Sequence, residues 1–208
     1  MDGERSTREG LLAPLLEAFR TYGFDGVSLS RLSKETGLGK ASLYHHFPGG
    51  KGEMAMAVMA LSSAWLETEV FSVLEGAGDP AARLDQVLEA FQSFYQRGGK
   101  SCLLDVMPIG GGPDVRAMVK ALMQRLIAGF ERLALDAGME PTEAVSRAEL
   151  ALVCLQGSLV VSRGLGDAAP FRHQIESLRK GFLSAEGNGR APRESGHFRP
   201  GSGRRGGS

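Results

Sequence analysis

Apolar residues recur at helical spacing in nearly every segment of this chain that lies between glycine and proline breaks. Residues 6–22, for example, place Leu11, Leu15 and Phe19 on one side of a helix. No stretch shows the alternation of apolar and polar residues, enriched in β-branched types, that is typical of a strand. The sequence therefore predicts an all-α protein, and counting the segments between breaks gives about nine helices.

The breaks also divide the chain into parts of different character. Pro48, Gly49 and Gly50 end a group of short helical segments, and longer amphipathic segments follow. From residue 186 onward, glycine, proline and arginine stand among polar residues with almost no apolar side chains to bury. We therefore expect an N-terminal domain over residues 1–50, a larger helical domain over 51–185, and a disordered basic tail over 186–208.

Composition excludes some classes of protein. The chain has 24 basic and 24 acidic residues, so its net charge of zero gives no indication of nucleic-acid binding. The longest uncharged apolar runs, residues 54–66 and 150–162, are shorter than the roughly 20 residues of a membrane helix. The charged N-terminus lacks the pattern of a signal peptide. We expect a cytoplasmic protein without a membrane partner, in which Cys102 and Cys154 stay reduced.

Residues 27–47 have the layout of a helix-turn-helix unit. Two short helices are joined by a turn containing Gly37, a residue that adopts positive φ without strain. Leucines stand where a small core requires them, and Ser33 allows close approach of the helices. The second helix would present short polar or aromatic side chains and one cation, a combination suited to reading a DNA groove.

The amino-acid sequence of this region points to one family more specifically than its helix-turn-helix layout does. The runs Gly23 to Leu29 and Leu38 to Pro48 resemble the N-terminal signature of the TetR family of transcriptional regulators. The resemblance covers about residues 5–60. It implies three helices in a DNA-binding domain and six in a ligand-binding and dimerisation domain. Farther on, residues 101–105 and 155–159 are similar to the LmrA/YxaF-like branch.

The resemblance assigns roles to individual positions of the N-terminal domain. Ser28 would cap the second helix and touch a phosphate, and Lys40 would reach guanine acceptors. Lys51 would add a phosphate contact at the start of the fourth helix, although two glycines precede it where one residue is more usual, which leaves open which phosphate it reaches. The alternative is that Lys51 is an ordinary solvated lysine. The expected DNA-binding residues are Ser28, Ser30, Gly39, Lys40, Ala41, Ser42, Tyr44, His45 and Lys51.

The resemblance also implies an effector pocket among the middle helices. An apolar lining would favour a small lipophilic or aromatic effector. Aromatic and methionine side chains at helical spacing are equally typical of an ordinary core. The candidate lining residues are Trp65, Phe91, Phe94, Met107, Met118, Leu122 and Gln156.

The last two long helices are candidates for the dimer interface of a homodimer. They carry more apolar surface than one face of a helix bundle needs, and a two-fold dimer matches a palindromic DNA operator. The alternative for each residue is packing within its own chain. The candidates are Leu152, Leu155, Leu159, Phe171, Ile175, Leu178 and Phe182.

Other functions have weaker support in the sequence. Adjacent His45 and His46 point about 100° apart on a helix, so they do not readily share a metal ion, and we expect neither metal nor cofactor. The glycines at 110–112 lack a phosphate-loop pattern, and Pro113 lacks an N–H donor, which argues against an enzyme. A helical ligand-binding or adaptor protein without DNA-binding activity stays open as the alternative.

Overall fold

The computed structural model describes residues 7–108 and 110–184. In this part of the chain there are nine α-helices and no strand, so the predicted all-α fold is confirmed. The helices are α1 Arg8–Gly26, α2 Leu29–Thr36, α3 Lys40–His46, α4 Gly50–Leu74, α5 Pro80–Phe94, α6 Leu103–Val106, α7 Gly112–Asp136, α8 Pro141–Leu165 and α9 Ala169–Gly181. The predicted tail over 186–208 lies outside the described residues.

Helix α1 packs one face into the core and kinks near its end. Thr7 caps it by accepting a hydrogen bond from the N–H of Gly10 at 3.2 Å. Pro14 lies inside the helix, but the non-helical dihedral angles occur at Gly23, where φ is 67°. The close approach of Gly23 to the carbonyl of Val106 leaves little room for a side chain there. The end of α1 is therefore fitted against α6 in the second domain.

Helix α4 packs against both α1 and α7. Its residues Glu67–Phe71 form a π-helical turn. The guanidinium group of Arg125 in α7 binds the carboxylates of Glu67 and Glu75 and lies 4.1 Å from the ring centre of Phe71. These ion pairs hold the widened turn against α7, and they lower the pKa of Glu75.

The helices α7, α8 and α9 pack around a core that contains Phe130, Phe171 and Ile175, all fully buried. Arg147 in α8 donates hydrogen bonds to the carbonyl oxygens of Gly181 and Phe182 at 3.0 and 2.8 Å, which satisfies the end of α9. This packing fixes which faces of α8 and α9 are available to other molecules.

Two helices, α4 and α8, are 25 residues long and apolar enough by length and composition to cross a membrane. The sequence expectation counted only uncharged runs, which are shorter. Each of these helices packs one face into the protein core, with Met54 and Val58 buried on α4 and Leu155 and Leu159 buried on α8. Such packing is typical of core helices in globular proteins.

Candidate nucleic-acid interface and effector cavity

The turn between α2 and α3 is built by short side chains and one left-handed glycine. Ser28 caps α2, as predicted, since its Oγ accepts from the N–H of Arg31 at 3.2 Å. Gly37 has φ 73°, and the Oγ of Ser33 donates to the carbonyl oxygen of Leu38 at 2.5 Å. Thr36 donates to the carbonyl oxygen of Leu32 at 2.7 Å. These bonds fix the direction in which α3 leaves the turn.

Buried apolar side chains hold α3 against the rest of the domain. Leu32, Leu43 and Phe47 are fully buried together with Val27. Leu43 is the one buried residue of α3 and His46 is half-buried, while the other side chains of the helix are exposed. The short helix α3 therefore keeps its orientation through Leu43 and through Phe47, which follows its last residue.

Eight of the nine predicted DNA-binding residues are exposed in the structure. Tyr44 has 45% of its surface exposed and its ring lies over Gly50. Gly50 has φ 65° and is buried beneath that ring, which explains why a glycine occupies the position. The exposed residues are Ser28, Ser30, Gly39, Lys40, Ala41, Ser42, Tyr44 and His45.

The ninth predicted residue, Lys51, is partly buried and has partners inside the protein. Its ammonium group donates to the carbonyl oxygens of Phe24 and Val27 at 2.9 and 3.3 Å, and it lies 4.3 Å from the ring centre of Phe24. Lys51 is therefore not an ordinary solvated lysine. It satisfies carbonyl groups after the kink of α1, and one of its three donors remains for another acceptor.

One positioning residue was missed in the sequence. Arg8 donates to the carbonyl oxygen of His46 at 2.9 Å, lies over the ring of Phe47 at 4.7 Å, and pairs with Glu53 at 2.8 Å. The N–H of Gly49, with Arg8, lowers the pKa of Glu53. A long-range contact of this kind leaves no local pattern, so only the fold reveals that Arg8 fixes the end of α3.

The second domain encloses a small cavity of about 10 Å³, enough for one water molecule. Of the seven predicted lining residues, Phe91 and Gln156 line it. The complete lining is Leu66, Phe91, Tyr95, Leu104, Leu126, Leu152, Leu155, Gln156, Leu159 and Phe171.

The other five predicted lining residues do not line this cavity. The ring of Trp65 stacks on that of Phe94 at 3.8 Å, beside the cavity wall. On α7 the cavity-facing residue is Leu126, so Leu122 lies about one turn away from it and Met118 about two turns away. Met107 is fully buried elsewhere in the core.

Polar groups converge on one side of the cavity. The hydroxyl of Tyr95 donates to the Sγ of Cys102 at 3.1 Å, and the Nε2 of Gln156 donates to the same sulfur at 3.6 Å. Burial raises the pKa of the Cys102 thiol and raises that of Tyr95 well above its usual value. Both groups are therefore neutral at physiological pH, and Cys102 has the environment of a structural thiol.

The residues predicted for the dimer interface are buried within their own chain, and this prediction is corrected. Phe171 and Ile175 are fully buried, and the others have at most 8% of their surface exposed, so they are core residues: Leu152, Leu155, Leu159, Phe171, Ile175, Leu178 and Phe182. Val145 is exposed near the start of α8, and five further exposed apolar side chains lie on the face opposite the core: Leu150, Val153, Val160, Val161 and Leu165.

Among the described residues, no group of three or more His, Cys, Asp or Glu side chains is arranged to hold a metal ion. The rings of His45 and His46 meet edge to face with their centres 5.6 Å apart.

Comparison with known proteins places these features in a family. Residues 11–58 match the family model described as bacterial regulatory proteins, tetR family. The chain is 22% identical to the HTH-type transcriptional regulator LmrA of Bacillus subtilis, over 80% of this chain and 92% of LmrA. It is also 22% identical to YxaF, an uncharacterised HTH-type transcriptional regulator of the same organism, over 82% of this chain and 92% of YxaF.

Solved structures share the fold. A TetR transcriptional regulator from Legionella pneumophila superposes with a TM-score of 0.70 at 19% identity, covering 82% of this chain and 96% of that one. Another from Chloroflexus aurantiacus gives a TM-score of 0.67 at 21% identity, covering 86% and 95%. The family match covers the helix-turn-helix unit with its exposed α3 surface, so this chain carries a DNA-binding domain of the TetR type and shares the fold of TetR transcriptional regulators.

Proposed function

We propose that this chain acts in the cytoplasm as a homodimeric repressor that binds a palindromic operator and is released by a small lipophilic effector. The observation that carries the proposal is the surface of α3. Lys40, Ala41 and Ser42 are exposed on its first turn, while Leu43 anchors the helix from below. Lysine pairs with guanine acceptors, and the methyl group of alanine suits thymine.

The exposed face of α8 supports dimerisation with a second copy of the chain. Val153 and Leu165 have 66% and 69% of their surface exposed, which is unusual for apolar side chains clustered on one helix. Gly157 and Gly164 lie on the same helix with open space beside them, so another helix can approach closely. A groove of about 600 Å³ between α8 and α9 continues this surface. A two-fold dimer through this face presents two α3 helices to two half-sites.

Contacts between the domains provide a route from cavity to DNA. Arg20 of α1 has 6% of its surface exposed, and its guanidinium group lies 4.3 Å from the ring centre of Phe94 in α5. Lys100 pairs with Glu17, also on α1. A ligand that displaces α5 or the segment after it therefore moves α1. If the ligand favours the DNA-incompetent state by about 3 kcal/mol, operator affinity falls about a hundredfold.

Selection of genomic DNA fragments by the purified protein tests the proposal. Wild type is compared with a Lys40→Ala, Ser42→Ala double variant at fixed salt, because both side chains are exposed on α3. Lys120→Ala is the control, since it removes one exposed cation from α7. We expect wild type and the control to enrich a palindrome that the double variant does not enrich.

Failure to enrich any sequence by a folded dimer, over a broad range of salt, would contradict the proposal. That outcome would favour a helical ligand-binding or adaptor protein. If the double variant enriched the same palindrome equally well, residues outside the first turn of α3 would have to contact the DNA bases.

A further inference from the structure

Arg20 of α1 is a buried cation whose hydrogen-bond donors are only partly used. Its Nη1 lies 3.6 Å from the carboxylate of Glu17, one turn earlier in the same helix. Its Nε and Nη2 are buried and find no acceptor among the described residues. A buried donor without an acceptor is costly, and a buried charge is more so. The buried position of Arg20 therefore depends on its other contacts.

Aromatic rings supply those contacts. The guanidinium carbon of Arg20 lies 4.3 Å from the ring centre of Phe94 in α5. The ring of Trp65 in α4 stacks on the same phenyl ring, with the two centres 3.8 Å apart and the two planes at 15°. Two groups so close to one ring centre occupy opposite faces of the ring, so the three side chains form one ring stack. A guanidinium group is attracted to the face of an aromatic ring. The ring stack of Arg20, Phe94 and Trp65 thus joins α1 to α4 and α5.

The counter-charge of Arg20 is shared with a second cation. The other carboxylate oxygen of Glu17 pairs with Lys100, in the segment that follows α5. Glu17 is half-exposed, and water weakens the attraction of its charge for a buried guanidinium group. Attraction to the ring and to this carboxylate is therefore opposed by the cost of two unused donors. Such opposing contributions leave a small difference in free energy between the buried position of Arg20 and one in which it reaches water.

The ring stack lies next to the kink that leads from α1 to α2. Gly23, with φ 67°, follows Arg20 by three residues and marks the kink. Beyond it, the ammonium group of Lys51 binds the carbonyl oxygens of Phe24 and Val27, and α2 begins two residues later. Movement of Arg20 away from the ring stack therefore acts on the segment that sets the direction of α2.

We propose that Arg20 is a positioning residue that exchanges between two positions, one docked on the ring stack and one released into water, where its free donors are hydrated. This inference goes beyond the proposed function, because it requires neither an effector nor an operator. Docking holds the end of α1 and the start of α2 against α4 and α5, and release frees them to change direction. The population of the released position therefore sets how firmly the helix-turn-helix unit is held in its orientation.

Hydrogen–deuterium exchange of the full chain, followed by peptide mass spectrometry, measures this equilibrium through the amides of residues 18–26. Arg20→Met replaces the cation by an unbranched side chain that needs no hydrogen bond, and Glu17→Gln removes the counter-charge. A double variant carries both changes. Arg31→Met is the matched control, because Arg31 lies 4.7 Å from the ring centre of Tyr22 but is exposed on α2. Circular dichroism establishes whether each variant is folded.

We expect residues 18–26 of wild type to exchange about tenfold faster than residues 126–133 in the core of α7, after correction for intrinsic rates, because release opens them locally. Arg20→Met should slow their exchange about threefold, since an apolar replacement removes the cost of the unused donors. Glu17→Gln should speed it about fivefold in wild type and less than about twofold in the Arg20→Met background, because its effect acts through the charge of Arg20. Arg31→Met should leave it unchanged.

Several outcomes would overturn the proposal. Faster exchange of residues 18–26 in Arg20→Met, or failure of that variant to fold, would show that the cation holds α1 in place without a released alternative. An equal effect of Glu17→Gln in both backgrounds would separate Glu17 from Arg20. Exchange of residues 18–26 in wild type at the rate of the α7 core would show that they open only when the whole protein unfolds. Equal slowing in Arg31→Met would remove the effect from the ring stack.

Discussion

The ammonium group of Lys51 lies 2.9 Å from the carbonyl oxygen of Phe24 and 4.3 Å from the centre of the same residue's ring. This lysine at the start of α4 thus holds the end of α1 in the DNA-binding domain. The sequence predicted a phosphate contact at the same position, and the two roles are compatible because an ammonium group has three donors.

Replacement of Lys51 by Met separates these two roles. We expect the free energy of unfolding to fall by about 2 kcal/mol, because the charged donor to two carbonyl groups is lost. We also expect the slope of log affinity against log salt to fall by about 0.9, the value for one phosphate contact. Chemical denaturation and titrations with the enriched DNA measure these quantities. An unchanged slope would leave Lys51 with its structural role alone.

Arg83 and Arg132 share one carboxylate but differ in burial, so they form a matched pair. Arg83 is buried, pairs with Asp136 at 2.9 Å, and donates to the carbonyl oxygens of Val73 and Leu74 at the end of α4. Arg132 pairs with Asp136 from an exposed position. We expect Arg83→Ala to lower the free energy of unfolding by about 3 kcal/mol. Arg132→Ala should change it by at most about 0.5 kcal/mol.

These values come from denaturant titrations at neutral pH. Equal losses in the two variants would show that the carbonyl groups at the end of α4 find other partners, and would contradict the assignment of Arg83 as the cap of that helix.

Stability at acid pH depends in part on Asp136. Hydrogen bonds from Arg83 and then Arg132 lower the pKa of this carboxyl below its usual 3.8. A lowered pKa in the folded state stabilises the protein above the unfolded value, and this contribution is lost as the pH falls through the folded value. We expect Asp136→Asn to lower the melting temperature at pH 7, and we expect the difference from wild type to disappear at acid pH, where the carboxyl is protonated in the folded and the unfolded state. Melting curves between these limits would show no convergence if Asp136 were not a source of the acid sensitivity.

A charged residue on the exposed apolar face of α8 should prevent dimerisation. A Val153→Glu variant places a charge in the centre of the proposed interface, so we expect a monomer at concentrations where wild type is a dimer. Leu135→Glu is the control, since Leu135 is an exposed apolar residue on α7. Sedimentation measurements distinguish the two states. If the Val153→Glu variant remained a dimer, the dimer interface would not be the exposed face of α8.

The two cysteines differ in accessibility and should react at different rates. Cys102 is buried, and burial raises the pKa of its thiol. Cys154 is partly buried and lines the groove between α8 and α9. We expect iodoacetamide to modify Cys154 first, and faster in the Val153→Glu monomer than in the dimer, because the partner covers the groove. Peptide mass spectrometry over time gives both rates, and preferential modification of Cys102 would contradict its placement.

Much of the fold and of the DNA-reading surface could be predicted because local chemistry specifies it. Gly37 adopts a positive φ in the turn between α2 and α3, and Ser28 caps the N-terminus of α2. Leu43 stands one helical turn before Phe47, so both face the same small core. Sequence alone therefore determined the helices, the helix-turn-helix unit and the outward residues of α3.

Tertiary structure alone decided which side of α8 faces inward. Apolar side chains occur on all sides of α8, so helical periodicity does not distinguish Leu155 from Val153 as a core residue. Packing against α7 and α9 buries Leu155 and leaves Val153 exposed. The same holds for Lys51, whose partners at Phe24 and Val27 are brought to it by folding. Helical periodicity specifies the faces of a helix, but only the packing of helices against one another selects the face that meets the core.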